Sequence, residues 1–205
     1  IMKELKRFYS FLFVAVLFVS CDKTTDFYTI QGEAQGSTYS IKYIASEEKV
    51  TKNQIDSLLT AFDLSLSTYR PDSKISKINT GDSTVVVDDF FTETFQLSNQ
   101  IYKETNGLFD PTIGVLVNAY GFGPNKKHQD LAPKQIDSLL QFVGFDKIAL
   151  KSNKTISKKY KETFIDFNAI AQGYSVDVVV NYLKSKGIEN AIVEIGGELF
   201  ALGKN

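Results

Sequence analysis

One cysteine, one histidine and no tryptophan occur among the 205 residues. A Cys₂His₂-type zinc site is therefore impossible, and so is an intramolecular disulfide. A Ser-His-Asp triad could draw only on His128. That residue lies in the polar stretch Asn125-Lys126-Lys127-His128-Gln129-Asp130 and reads as part of an exposed loop. Neither sign of charge is in excess: 23 Lys and Arg stand against 24 Asp and Glu, a formal charge of −1. The basic surplus of a general nucleic-acid binder is missing, so no nucleic-acid partner is expected. Long apolar runs are missing too. The run from Phe8 to Val19 falls well short of the ~20 residues that a bilayer-spanning helix needs. What the chain has in quantity is aromatic surface, in 16 Phe and 10 Tyr. Its length allows one domain with a sizeable core, or two small ones.

The apolar run does have a reading. Lys3, Lys6 and Arg7 precede it, and Ser20-Cys21 follow it. A cationic start, a short apolar stretch and a small residue before a cleavage point make a secretory signal. The only cysteine stands directly after, in Leu17-Phe18-Val19-Ser20-Cys21. This resembles a bacterial lipobox, with Phe18 where Leu is commonest. The expected organisation is a lipoprotein signal over 1–21 with acylation at Cys21, a tether over 22–27 and one domain over 28–205. Such a protein is membrane-anchored and works outside the cytoplasm, facing the periplasm.

Along the remaining chain, alternation predicts a strand pair over 28–44, broken at Gly36. Thr51 caps a predicted helix over 51–62, with Ile55, Leu58, Leu59 and Phe62 on one stripe. A second helix is predicted over 89–105, with Phe91, Phe95 and Tyr102 inward and Gly107 beyond its end. Pro133 opens a third, carrying Ile136, Leu139, Leu140 and Val143 up to Gly144. A hairpin is predicted around Asn153. Then come a strand over 163–167, a helix over 170–186, and strands over 191–195 and 198–202 around Gly196-Gly197. Hairpins mixed with packed helices argue an α+β fold.

Four segments mix glycines, aromatics and polar residues in ways that packing does not require. They are Gly32-Glu33-Ala34-Gln35-Gly36-Ser37-Thr38-Tyr39; Ser67-Thr68-Tyr69-Arg70-Pro71-Asp72-Ser73 with Asn79; Leu108-Phe109-Asp110-Pro111-Thr112-Ile113-Gly114 with Tyr120-Gly121-Phe122-Gly123; and Asp166-Phe167-Asn168-Ala169-Ile170-Ala171-Gln172-Gly173-Tyr174 with Asp177. Each alone is also compatible with an ordinary bulge, turn or capped helix. In the fourth, Asn168 is placed to cap the helix. A helix N-terminus offers free N–H groups to phosphate, and a carboxylate beside it suits Mg²⁺.

Together with Glu194-Ile195-Gly196-Gly197, these segments resemble the ApbE family of FAD:protein FMN transferases, in order and with comparable spacing, from about Gly32 to Leu202. The resemblance implies mixed or antiparallel sheets with flanking helices, in a domain incomplete at its C-terminus. It implies FAD as substrate and Mg²⁺ as metal. Gln35, Gly36 and Ser37 would contact FAD, with Gln35 where the family often has Met and Ser37 where it has Thr. Asn79 would face the flavin pocket, and Leu108, Phe109 and Asp110 would line the FAD site. Asp166 and Gln172 would bind FAD, and Ala169 would offer a backbone carbonyl to the metal. Gln172 departs from the usual Lys or Glu. The family's further stretch, with His-x-Ile-x-Asp-Pro-like and Asp-Ala-x-x-Thr-like segments, supplies more Mg²⁺ ligands and the base. These 205 residues lack it, so no catalytic residue is assigned before Asn205 and the fragment alone is expected to be inactive.

The reaction so implied is attack by a Thr or Ser hydroxyl on FAD, leaving FMN on the target and releasing AMP. The implied partners are membrane electron-transport subunits that carry covalent FMN. An FAD-binding lipoprotein or FAD pyrophosphatase of the same fold stays open as an alternative. So does a non-enzymatic surface lipoprotein that binds its ligand through Phe and Tyr.

Overall fold

The computed structural model describes residues 24–124 and 130–204. The expected signal segment with Cys21, and His128, lie outside the described residues.

Alternation along the first described residues produces a hairpin of β1 (Asp26–Ala34) and β2 (Ser37–Ala45). Gln35 and Gly36 form its two-residue turn, both with positive φ (56° and 73°), the twist that right-handed strands prefer. Asp26 and Phe27 already pair with Ala45 and Ile44, so β1 takes in the end of the stretch expected to be a tether. β5 (Ala191–Ile195) adds antiparallel to β2, and β6 (Glu198–Leu202) pairs back on β5 through Gly196-Gly197. The resulting four-stranded sheet has the order β1-β2-β5-β6.

α1 (Lys52–Leu66) and α6 (Asn168–Ser185) cover one face of that sheet. Their apolar stripes meet the inward side chains of alternate strand positions: Ile55, Leu59, Val176, Val179 and Leu183 pack with Ile41, Tyr43 and Val193. A second cluster forms around Phe62, Leu66, Ile165 and Phe167. It gathers α2 (Lys74–Asn79), α3 (Asp89–Glu104) and a small hairpin of β3 (Ile148–Leu150) and β4 (Ile156–Lys158). α1 runs through both clusters. Asp88 caps α3, accepting the Phe91 N–H at 3.0 Å and the Ser65 hydroxyl of α1 at 2.6 Å.

The α+β class follows the sequence reading, and both sheets are antiparallel. Several boundaries differ. α1 continues to Leu66, because Ser65 and Leu66 still find buried partners. α2 and α4 (Gly114–Ala119) were not expected; six-residue helices are too short to show a period. α5 (Pro133–Leu140) forms where Pro133 placed it, but none of its residues is fully buried. The strand expected over 163–167 does not form. That run forms a single parallel bridge, Ile113 to Phe164, and leaves extended geometry by Phe167, whose ψ is 7°.

Candidate functional site

Against the second apolar cluster, the structure opens a cleft of about 680 Å³. The β1–β2 turn contributes Gln35 and Gly36, and the end of α1 contributes Phe62, Asp63 and Leu66. Ser67, Tyr69 and Arg70 come from the loop after α1, and Asn168, Ala171 and Gln172 from the first turns of α6. Phe62, Leu66 and Ala171 give the cleft an apolar floor continuous with the second core cluster. Tyr69 stands at its rim, 53% exposed, and its hydroxyl donates to the Phe122 carbonyl at 3.3 Å.

The opening turns of α6 are held from three directions. Asp166 lies just before the helix, half-buried, and its carboxylate accepts the Asn168 N–H at 2.8 Å. Asp166, not Asn168, thus serves the first exposed N–H of the helix. Asn168 is itself the first helical residue, which corrects the expectation that it caps from outside. Burial pushes the Asp166 carboxyl above the usual carboxylate range, against the opposing pull of that N–H. On the other side, the Asp166 N–H donates to the Pro111 carbonyl at 2.7 Å. Gly114 makes this approach possible: a Cβ there would sit 2.5 Å from the Phe164 ring and 2.9 Å from its carbonyl oxygen.

From the third direction comes Asn79. Its amide donates to the Ile165 carbonyl and accepts the Ile165 N–H, both at 2.8 Å. The side chain therefore acts as a one-residue strand partner, and Asn79 does not line the cleft. Lys158 reinforces it, donating to the carbonyls of Asn79, Lys161 and Thr163 at 3.1, 2.9 and 2.9 Å.

Of the other residues singled out from sequence, Gln35, Gly36 and Gln172 line the cleft together. The Gln172 amide donates to the carbonyls of Gly196 (2.7 Å) and Ile195 (3.2 Å), tying α6 to the β5–β6 turn. A Cβ on Gly196 would fall 1.8 Å from that nitrogen and 3.4 Å from Ser37, which puts Ser37 beside the same turn. Ala169 lies exposed in the first turn of α6. Asp110 closes its own turn, accepting from the Thr112 N–H at 2.8 Å and hydroxyl at 2.6 Å. Leu108, 93% exposed, and Phe109 stand beside that turn and do not line the cleft.

Two charged liners carried no role in the sequence reading, Asp63 and Arg70. Asp63 had a legible signal, since it follows Leu59 by one helical turn and so interrupts the apolar stripe of α1. Burial pushes its carboxyl upward, and Arg70 and the Gln35 N–H pull it back. Among the described residues no group of three or more His, Cys, Asp or Glu side chains could hold a metal by itself.

Comparisons with known proteins converge. The profile of the ApbE family matches residues 35–205. A Vibrio cholerae FAD:protein FMN transferase is 36% identical, over 93% of this chain and 59% of its own length. One from Haemophilus influenzae is 34% identical, over 94% of this chain and 59% of its own length. In three dimensions, the flavin transferase ApbE from Vibrio cholerae superposes with a TM-score of 0.80 at 34% identity, covering 89% of this chain and 61% of that one. The apo flavinyl transferase ApbE from Pseudomonas stutzeri gives 0.80 at 30% identity, covering 88% and 62%. The chain thus spans about 59% of the length of these curated relatives.

Proposed function

The chain belongs to the ApbE family, and from that membership we propose that this protein moves FMN from FAD onto a Thr or Ser hydroxyl of a target protein. The observation that carries the proposal is the cleft itself. It joins an apolar floor, an aromatic rim at Tyr69 and the N-terminal turns of α6 in one space of about 680 Å³, within the range of small-molecule sites. A flat isoalloxazine suits the apolar and aromatic part. A pyrophosphate suits the helix N-terminus, whose N–H groups and dipole favour negative charge.

The hydroxyl oxygen of the acceptor attacks the phosphorus on the FMN side of the pyrophosphate. The bond from that phosphorus to the bridging oxygen breaks, the electron pair leaves with AMP, and the hydroxyl proton passes to a base. Most of the catalytic work in such a displacement is positioning and charge stabilisation. α6 and the β1–β2 turn, tied together by the Ser175 hydroxyl on Gln35 Oε1 at 3.2 Å, would hold the dinucleotide, while the floor excludes water from its flavin end.

Asp166 and the Ala169 carbonyl are the residues that would hold Mg²⁺. The fit is chemical: a half-buried carboxylate held above its usual pKa gains from a hard cation, and Mg²⁺ is commonly held by one or two carboxylates plus substrate phosphates. Bound there, Mg²⁺ would supply positive charge to offset that of the pyrophosphate. Membrane electron-transport subunits with covalent FMN are the proposed acceptors. A lipid on Cys21 would keep the enzyme on the periplasmic surface where they lie.

The test is incubation of the purified full-length protein, extended beyond these 205 residues, with FAD, Mg²⁺ and an acceptor subunit. The expected outcome is flavin fluorescence that stays with the acceptor in a denaturing gel, one AMP per flavin attached, and loss of both on chelation. Release of free FMN and AMP without labelling would make the protein a hydrolase and overturn the transfer reading.

A further inference from the structure

Three buried side-chain polar atoms among the described residues lack a hydrogen-bond partner: Gln35 Nε2, Arg70 Nε and Ser98 Oγ. The first two belong to residues that line the same cleft, and both are N–H donors. Buried donors are rarely left without acceptors, so two on residues that line one cleft point to an acceptor supplied from outside the chain. Arg70 is also the single cationic side chain among the cleft's described liners.

We propose that Arg70, with Gln35 beside it, is the residue by which this cleft recognises the pyrophosphate of its ligand, and so selects a phosphorylated flavin over a bare one. The inference rests on the flavin-transfer reading and deepens it. Arg70 stands on a fixed backbone: its N–H donates to the Ser67 carbonyl at 3.4 Å, and its own carbonyl accepts the Ser73 N–H at 3.2 Å. The guanidinium is restrained at one edge by Asp72, whose Oδ2 accepts from Nη2 at 2.9 Å. That pair is exposed, 41% and 58%, so solvent screens it and it leaves the guanidinium competent for a second anion. A planar guanidinium presents paired donors that match phosphate oxygens, which a lone ammonium cannot do. The first turns of α6 line the same cleft, and the positive end of the helix dipole has the same polarity as Arg70. The anion would thus be held between a side-chain cation and a helix N-terminus.

Affinities of the full-length protein for FAD and for riboflavin, which lacks phosphate, test this. Arg70→Gln should weaken FAD binding about tenfold or more and leave riboflavin binding within about twofold. Arg70→Lys should recover part of the loss, because it keeps the charge and gives up the fork. Raising the salt concentration should narrow the gap between wild type and Arg70→Gln. Equal losses for FAD and riboflavin would show that Arg70 only packs, and unchanged FAD affinity would show that it touches no phosphate; either result overturns the proposal. If Arg70→Gln does not fold, Arg70→Lys decides by the same comparison. A wild-type protein that binds riboflavin but gains nothing from the phosphates overturns the Arg70 role alone. One that binds neither overturns the flavin reading as well.

Discussion

In its charged form the Asp166 carboxyl is costly to the fold. Its carboxylate is half-buried, with one backbone N–H from Asn168 to offset the loss of water. Burial wins, and the group ionises less readily than an ordinary aspartate. Unfolding restores a value near ~3.9. Between that value and the raised one, the folded chain binds the proton more tightly than the unfolded chain, so stability falls as pH rises. Asp166→Asn keeps an oxygen for the Asn168 N–H and removes the charge. It should melt at or above the wild-type temperature at neutral pH, with the difference shrinking as pH falls toward ~4. In the same variant, FAD binding or FMN transfer should fall by more than about 30-fold, a loss of ~2 kcal/mol. Calorimetry over that pH range, with ligand titration, checks both halves. A clearly lowered melting point with normal transfer per folded molecule would return Asp166 to a purely structural role.

At the scale of elements, the run over 163–167 shows how a strand-like sequence is used without a strand beside it. Ile165 and Phe167 are fully buried, but the backbone between α6 and β4 has no neighbouring strand on the α2 side. Asn79, at the end of α2, supplies the missing donor and acceptor in one side chain. Burial lowers the pKa of Lys158, whose ammonium cross-ties the same region to three carbonyls. Asn79→Ala would strand both polar groups of a buried residue, and should cost about 2–3 kcal/mol. Urea unfolding measures this directly. A cost under ~1 kcal/mol would mean that water replaces the amide without difficulty.

Across the whole molecule, α1 and α6 contribute to both cores, and the cleft takes its apolar floor from the core between the helices and its polar lining from the β1–β2 turn, the loop after α1 and the start of α6. β6 forms one edge of the sheet, with Leu199 63% and Phe200 36% exposed. β1 forms the other edge and begins at Asp26, a short distance along the chain from Cys21. An extended chain reaches at most roughly 3.5 Å per residue, so acylation at Cys21 would hold the sheet close to the bilayer. Cys21→Ser should move the mature protein from the membrane fraction to the soluble fraction, read by fractionation and immunoblot. Equal retention of both forms would sink the anchor.

Much of this arrangement is local, and the sequence carries it. Gly36 after a strand, Thr51 before an apolar stripe, Asp88 ahead of Phe91, and the Gly196-Gly197 pair between two apolar runs place their turns and caps by short-range sterics and hydrogen bonding. Gln35, Gly36, Asp166 and Gln172 were singled out through the family resemblance, and Gln35, Gly36 and Gln172 do line one cleft. Tertiary structure decided the rest. Whether an extended run becomes a strand depends on a neighbour that no local pattern names, and at Ile165 that neighbour is a side chain 86 positions away. Whether Asp63 is solvated or faces a cleft depends on what packs against α1, namely Arg70 and the β1–β2 turn. Periodicity reports which face of a helix is apolar. It does not report where elements distant in sequence leave a space between them, as the β1–β2 turn, the end of α1 and the first turns of α6 do at the cleft.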